Sequence, residues 1–497
     1  MRSNRGCILW LLSFLVGSAH ADPLDDFTNN LLSDLAPILA LFGERVTMQF
    51  MTQSLGWEDW VALAMAPLGI ITIVVSAIRV GGPMLLKAVV GRARENTAVA
   101  EMELMSSTSR EVGELYNGES IVRCQGEAPV WEFIYLTPEN SEHLKELKLE
   151  FMSLDEAVKQ GRLKQLAPIQ PPEDTPVGRI SRILSSLDPR PGMQKSLSDI
   201  EQQTSQPVAS NTSRNSEPKA GPSNVITVIR QKTEDAPNIA LNLQDNSRVR
   251  IRIVAAIGVL LQVGVLVFFG IMSYQRKARG HFQKDNTAAA NYAFPLTFSG
   301  TISLVLGLFL CARVVDKKSG EESYGVGEQY SIQMYWLQRK GRVSDQDFES
   351  YAISTPHKIK TVTMSRRKNA KETIGEIKQE GKSERKWFDL PKLTLQVETI
   401  SGVIFAIVGF ILQFIGLRKM NSYATLAQLG AVGLMTILRA LVRPGFATGL
   451  DNSKIPKLSP DFELDWLAWK LVARCNPKTA SPASSQSEIP PPSGQQT

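Results

Sequence analysis

Five separate stretches of 18 to 21 residues are nearly free of charge, and no other feature constrains the fold of this chain as strongly. As a helix, such a stretch is long enough to cross the roughly 30 Å hydrocarbon core of a bilayer. Backbone amides in lipid find no water to bond, so each segment must satisfy its own hydrogen bonds as a helix. The predicted spans are 60–80, 253–273, 293–312, 400–417 and 424–442. They predict an α-helical integral membrane protein with about five transmembrane helices.

Small and helix-breaking residues predict how these spans pack. Pro67 and Gly69 interrupt the first span and predict a kink there. Only residues 418–422 separate the fourth and fifth spans, which predicts a tight helical hairpin. Small surfaces suited to close helix contact are expected at Gly402, Ala406, Gly430 and Gly433.

The centres of the spans hold neutral polar side chains and no acid or base. These side chains are Gln262, Ser299, Thr301, Ser303, Gln413 and Gln428. Charge inside a membrane is the usual mark of a transporter or a proton path. Because these groups are neutral, we expect hydrogen bonds between helices, with a substrate path as the alternative.

Residues 1–21 have the pattern of a secretory signal peptide. Arg2 and Arg5 precede an apolar run over 7–16, and residues 19–21 form an A-x-A cleavage site. The apolar run is too short to cross a bilayer, which favours a cleaved signal over an uncleaved anchor. We therefore expect a membrane protein of the secretory pathway or plasma membrane.

Charges beside the spans predict the orientation. Segment 22–59 holds seven acids and the single base Arg45, whereas several Lys and Arg residues flank the first three spans on the other side. The positive-inside rule then places the N-terminus outside and the C-terminus in the cytosol. The predicted outer loop 274–292 disagrees, because its bases are Arg276, Lys277, Arg279 and Lys284. The reverse orientation therefore stays open.

The polar segments divide into four parts. Segment 22–59 has the spacing of extracytoplasmic amphipathic helices that break near Pro37 or Gly43. The remaining parts are a cytosolic loop 81–250 with a disordered stretch 185–223, a basic cytosolic loop 313–399, and a cytosolic tail 443–497. The tail contains a predicted amphipathic helix at 461–475, which would lie on the membrane or dock on the cytosolic domain.

Within the two long loops, β-branched and aromatic residues predict short strands. The predicted strands are 120–123, 130–136, 225–229, 239–243, 331–337 and 393–397. Residues 92–106 are expected to be helical, and Ser153 with Glu156 forms a capping box that opens a further helix. We expect the strands of the two loops to pair into one small α+β cytosolic domain.

Catalytic and metal-binding signatures are missing from the sequence. It contains no HExxH, GxSxG or CxxC motif, and His143, His281 and His357 lie in separate segments. Residues 375–383 resemble a phosphate loop, but five residues separate the glycines where that loop has four. No disulfide framework is expected from Cys124, Cys311 and Cys475. We therefore predict no catalytic, cofactor-binding or metal-binding residues, and no cofactor.

Several longer runs carry a resemblance to a family. These runs are 31–51, 65–83, 91–118, 235–243, 410–418 and 427–443. They resemble the uncharacterised multi-pass membrane proteins of filamentous ascomycete fungi, over roughly residues 24–445. Some members of that family bear ankyrin repeats, but this sequence has no 33-residue repeat. The resemblance implies a fungal membrane protein and supplies no residue with a known role.

Together these features favour a non-enzymatic multi-pass membrane protein that presents a cytosolic interaction domain. Its expected partners are the lipid bilayer and other proteins, with homo-oligomers possible. The alternatives are a subunit of a transporter or channel, and an enzyme of an unfamiliar type. Nucleic-acid binding is disfavoured because residues 81–250 hold 23 acids against 20 bases.

Overall fold

The structure is a computed structural model of the 497-residue chain. The residues that it describes are 43–65, 67–138, 148–166, 225–230, 235–243, 248–274, 292–327, 329–355, 357–368, 390–420, 422–443, 451–454 and 464. The predicted signal 1–21, the disordered stretch 185–223 and the phosphate-loop look-alike lie outside these ranges. So do the interior of the predicted outer loop and the helix predicted at 461–475, apart from Leu464.

The described helices fall into seven short and four long ones. The short helices are α1 (Glu44–Met51), α2 (Trp57–Ala64), α3 (Ile70–Gly81), α4 (Met84–Val89), α5 (Thr97–Leu104), α6 (Leu154–Lys159) and α7 (Ile239–Leu243). The long helices are α8 (Arg248–Tyr274), α9 (Ala293–Lys317), α10 (Leu390–Arg418) and α11 (Ser422–Val442). By length and composition, these four long helices could each cross a membrane.

Helices α9 and α10 pack antiparallel through glycines spaced seven residues apart. A Cβ atom added at Gly307 would lie 2.2 Å from the backbone nitrogen of Ala406, and one at Gly409 would lie 2.2 Å from that of Leu304. Backbones can approach this closely only where a side chain is missing. The close contact predicted at Gly402 and Ala406 is therefore confirmed. Among the described residues, a Cβ atom added at Gly430 or Gly433 of α11 would meet nothing within 4 Å, so that part of the prediction is wrong.

The first predicted span, 60–80, is corrected by the structure. It forms two helices, because α2 ends at Ala64 and α3 begins at Ile70. Gly69 between them has a φ of 71°, which side-chain-bearing residues rarely adopt. A Cβ atom there would also lie 2.4 Å from Oγ1 of Thr47 in α1. The expected kink is thus a complete break.

Helix α2 enters the bundle at the same end at which helix α3 leaves it. Glu58 in the first turn of α2 pairs with Arg252 near the start of α8. Further along, a Cβ atom added at Gly258 of α8 would lie 3.0 Å from the Cβ of Met65, the residue that follows α2. Helix α3 returns, and a Cβ added at Gly81 would lie 2.5 Å from Val314 near the end of α9. Strand β7 follows directly after α9 at this end of the bundle. We call it the sheet end. The chain therefore turns back between α2 and α3 within the bundle, and we call these two helices the re-entrant pair.

Thirteen strands are described, and the largest sheet joins segments far apart in sequence. The strands are β1 (Val112–Tyr116), β2 (Ile121–Gln125), β3 (Val130–Pro138), β4 (Lys148–Ser153), β5 (Lys164–Leu166), β6 (Val225–Arg230), β7 (Ser319–Gly325), β8 (Tyr330–Gln338), β9 (Gly341–Val343), β10 (Gln346–Phe348), β11 (Tyr351–Ser354), β12 (Thr361–Arg367) and β13 (Asp451–Lys454). The six-stranded sheet has the order β13-β11-β8-β3-β6-β4, and β12-β7-β5 form a second sheet.

The predicted pairing of the two long loops is confirmed by the central strands. Strand β3 from the first loop pairs with β8 from the second over nine residues, antiparallel. Strand β13, which follows the last long helix, adds to the sheet edge through β11. An α+β region, called the sheet region below, therefore exists and lies at the sheet end of the bundle.

Two predicted strands are wrong because they are helical. Residues 239–243 form α7, where the Asn242 side chain bonds the backbone of Thr363 and replaces a strand's ladder bonds. Residues 393–397 belong to α10, which starts ten residues before the predicted span. Pro391 suits the first turn of a helix, and no turn separates this stretch from the apolar run. The helix predicted at 92–106 is shorter, Thr97–Leu104, and the Ser153 capping box is confirmed.

Candidate functional site at the junction of the bundle and the sheet region

Two adjacent carboxylates are fully buried where the re-entrant pair begins. Glu58 and Asp59 occupy the first turn of α2 and are 0 % exposed. Gly56 precedes them with a φ of 87°, so the chain turns sharply into the helix. The first turn of a helix favours negative charge, but a buried carboxylate also needs a cationic partner.

The partners of Glu58 come from the first turns of α8. Its Oε1 accepts a hydrogen bond from Nε of Arg252 at 2.9 Å, and Nη1 of Arg248 lies 3.7 Å from Oε2. Arg248 also donates to the carbonyl of Leu55. This contact fixes the start of α8 against the loop before α2.

Asp59 joins the same loop to the other end of the chain. Its Oδ1 accepts from Nη2 of Arg443 at 2.6 Å, and its Oδ2 accepts from the backbone N–H of Leu55 at 2.8 Å. Asp316 near the end of α9 accepts from the backbone of Gly56. Residues 55–59 are therefore bonded to the ends of three long helices.

A second ionic group holds α9 to α10 at the sheet end. Nη1 of Arg313 donates to Oε1 of Glu398 at 2.5 Å, and Nζ of Lys317 donates to the other oxygen at 2.7 Å. Because Arg313 and Glu398 are buried, leaving either one unpaired would be strongly destabilising.

A third ionic group connects the re-entrant pair to the sheet region. Arg79 near the end of α3 lies 2.6 Å from both Glu95 and Glu103. Glu101 in α5 is fully buried and pairs with Arg367 of β12 at 2.9 Å. Burial raises the pKa of Glu101, although Arg367 opposes this effect.

A cavity of about 200 Å³ lies where residues 52–53 meet the sheet region. Its polar lining includes Gln53, Glu114 and Arg123. Arg123 lies 3.3 Å from Glu114, and burial raises the pKa of that carboxyl despite the nearby cation. The buried Nε2 of Gln53 has no hydrogen-bond partner within the described chain. The cavity has room for a small polar molecule and offers it both donors and acceptors.

The sequence predicted that a membrane span separates segment 22–59 from the loop 81–250, whereas the cavity is lined by residues of both. In the described part, residues 43–59, Thr52 and Gln53 line this cavity together with Ser106 and Ile121 of the later segment. The two segments are therefore in contact at one end of the bundle, because the chain turns back between α2 and α3.

A separate buried carboxyl lies within the six-stranded sheet. Oε1 of Glu132 on β3 accepts from the indole N–H of Trp336 on β8 at 2.9 Å. Burial raises the pKa of Glu132 to about 7, although the Trp336 hydrogen bond and Arg366 both act to lower it. This carboxyl can therefore gain or lose a proton near neutral pH.

The polar groups predicted in the spans divide into two sets. Gln413 donates to Oγ1 of Thr301 across α10 and α9 at 3.0 Å, and Ser303 donates to the carbonyl of Phe405 at 2.9 Å. Those contacts are the interhelical bonds that were expected. Ser299 instead bonds within its own helix.

Gln262 of α8 and Gln428 of α11 form the second set. They lie on the buried faces of two helices that pack together. Nε2 of Gln262 and both amide atoms of Gln428 have no partner among the described residues. The expected interhelical bond is therefore not made at these two positions.

Sequence reasoning missed Glu58, Asp59, Arg443 and the role of Arg439. The available signal was position, since each lies at or near an end of an apolar stretch. Position alone does not identify the partner. In the part of the chain that the structure describes, no group of three or more His, Cys, Asp or Glu is placed to hold a metal.

Searches of protein-family models, curated proteins and solved structures gave no match to this chain. The resemblance to the fungal membrane proteins therefore stays a prediction.

Proposed function

We propose that the protein is a membrane-embedded binding protein that carries its sheet region as a fixed unit on one end of the bundle. The observation that supports this most is the third ionic group: Arg79 of α3 pairs with Glu103 of α5, and the buried Glu101 of α5 pairs with Arg367 of β12. A domain on a flexible tether needs no such contacts. Buried ion pairs are maintained only where the two parts stay in register.

The surface proposed for a partner is the part of one face of the six-stranded sheet around Trp131 and Phe151, since Tyr135 and Val228 between them are buried. The ring of Trp131 lies between two guanidinium groups, with Arg230 Cζ at 5.7 Å and Arg339 Cζ at 5.1 Å from its centre. The register places Phe151 of edge strand β4 on the same face, and it is 71 % exposed. Aromatic and arginine side chains are enriched where proteins bind each other.

An interaction experiment can test this surface in the full-length protein. The double variant W131A/F151S should lose its specific neighbours in proximity labelling in cells, because both aromatic anchors are removed. The control variant L166S removes an exposed apolar side chain from a different sheet and should keep those neighbours. Retention of the same neighbours by W131A/F151S would count against a binding role for this face.

We also propose that the sheet end faces outside the cytosol. This reverses the expectation of a cytosolic domain and C-terminus. The positive-inside rule applies to short loops, and long segments are translocated largely regardless of charge. The two short connections, 275–291 and 419–421, are basic, and Arg418 adjoins the second one. The re-entrant pair keeps residues 52–59 at the sheet end, which agrees with a signal peptide that delivers the following residues outside.

The acceptor motif Asn211-Thr212-Ser213 provides a test of this orientation. If the sheet end faces the secretory lumen, glycosidase treatment should increase the gel mobility of the full-length protein, and N211Q should abolish this shift. Sugar on an acceptor motif engineered into 275–291 would instead place the short loops outside and the sheet region in the cytosol.

A second candidate function is transport of a small polar solute, supported by Gln262 and Gln428. An amide buried in a membrane helix without a partner is costly, and a passing solute or water could supply its bonds. Flux into proteoliposomes should then fall in Q262L and Q428L but not in Q413L, whose amide already bonds Thr301. Equal flux in all variants and in empty liposomes would exclude this candidate.

A further inference from the structure

Two guanidinium groups converge on a single aromatic ring at the sheet end of the bundle. Cζ of Arg439 lies 5.5 Å from the ring centre of Phe50, and Cζ of Arg443 lies 5.2 Å from it. Arg439 is on the last turn of α11, and its side chain is only 2 % exposed. Phe50 belongs to α1, so the group joins α1 to the end of α11.

Most of the donors in this group have no acceptor among the described residues. Nε, Nη1 and Nη2 of Arg439 are all buried without a hydrogen-bond partner, and so is Nη1 of Arg443. Arg443 uses its other terminal nitrogen for Asp59. Glu58 is bonded by Arg252 and Arg248, and Glu321 attracts Arg443 without a hydrogen bond between them. Among the described residues, Arg439 therefore has no carboxylate to bond.

The geometry points to a missing anion. A contact with an aromatic face replaces only part of the hydration that a guanidinium loses on burial. Three free nitrogens on one guanidinium form the planar fork that binds two oxygens of the same group at once. A single-atom anion would leave most of that fork unused.

We propose that Arg439 and Arg443 bind an oxyanion of the phosphate type. The last turn of a membrane helix lies near the level of lipid headgroups, so the phosphate could belong to an anionic lipid or be free in solution. The two sources offer the same chemistry to the two arginines. This site goes beyond the proposed binding role of the sheet face and does not depend on it.

The full-length protein in a maltoside detergent, which contains no phosphate, allows both sources to be tested. Thermal unfolding is followed by intrinsic tryptophan fluorescence, first with sodium phosphate against sodium chloride at equal ionic strength. The second arm adds phosphatidic acid to the micelles in a phosphate-free buffer. The Tm of the wild type should rise by a few degrees in at least one arm. A rise with inorganic phosphate identifies a free ion, and a rise only with the lipid identifies a headgroup.

Variants decide whether Arg439 and Arg443 are responsible for the anion-dependent rise in Tm. R439M and R443M should lose the anion-dependent rise, and R439K should show a smaller one because lysine lacks the fork. R418Q, which removes a guanidinium at the opposite end of the bundle, should respond like the wild type. R439M should also be at least as stable as the wild type without the anion, because it buries no uncompensated charge. Absence of any rise in the wild type, or an undiminished rise in R439M, would overturn the proposal.

Discussion

Asp59 and Arg443 are bonded at 2.6 Å although 384 positions separate them in sequence. Asp59 lies at the start of the re-entrant pair, and Arg443 directly follows the last long helix. Their contact can form only if both segments lie at the same end of the bundle. The sheet end therefore collects residues from before the first long helix and from after the last one.

Removing the charge of Asp59 should destabilise the protein strongly. D59N leaves the Arg443 guanidinium buried without its carboxylate, which typically lowers the free energy of unfolding by about 3–5 kcal/mol. D347N removes an exposed carboxylate in β10 and should change that free energy by less than about 0.5 kcal/mol. Thermal unfolding of the purified protein in detergent measures both. Equal Tm values for D59N and D347N would show that the junction contact is not made.

Replacing glycine by alanine should change the Tm in opposite directions at two positions of the bundle. In G409A the new Cβ would lie 2.2 Å from the backbone nitrogen of Leu304, so α9 and α10 must separate and the Tm should fall. In G430A the Cβ meets nothing within 4 Å, and replacing a helical glycine by alanine should stabilise by roughly 0.5–1 kcal/mol. The predicted packing would be refuted by two Tm shifts of the same sign.

The carboxyl of Glu132 should make the stability of the sheet region depend on pH. Burial raises its pKa in the folded protein from 4.5 to about 7. Between these values the folded protein holds a proton that the unfolded chain has lost. The stability supplied by this group is therefore greatest below about pH 4.5 and falls, by roughly 3 kcal/mol, as the pH rises to about 7.

The variant E132Q tests this pH dependence, because its amide oxygen can still accept from Trp336 without titrating. E132Q should exceed the wild type in Tm at pH 8 and match it near pH 5. E119Q changes an exposed carboxyl near the start of β2 and should keep the wild-type profile. A constant difference between E132Q and the wild type from pH 5 to pH 8 would contradict the assignment.

The features that could be predicted from sequence are those set by local pattern. Apolar length identified the four long helices, β-branched and aromatic runs identified β3, β6 and β8, and Ser153 identified a helix start. Each of these depends on residues that are close together in the chain.

The features that could not be predicted depend on tertiary partners. Hydropathy counts 60–80 as one apolar run, and only the φ of Gly69 and its contact with Thr47 show the break. Likewise, small residues do not reveal which helix face they occupy, so Gly409 and Gly430 look alike in sequence and differ in the bundle. The junction site was missed because Glu58 and Asp59 find their cations hundreds of residues away.

The re-entrant arrangement of α2 and α3 is the central claim, and site-specific labelling in sealed vesicles of one orientation tests it most directly. Single cysteines are placed at the exposed positions Val46, Phe151 and Tyr274, with Cys7 and Cys475 changed to serine and the buried Cys124 and Cys311 retained. An impermeant maleimide should label V46C and F151C from the same side of the membrane, and Y274C only from the opposite side. Labelling of V46C together with Y274C, and not with F151C, would show that residues 60–80 cross the membrane and would contradict the account.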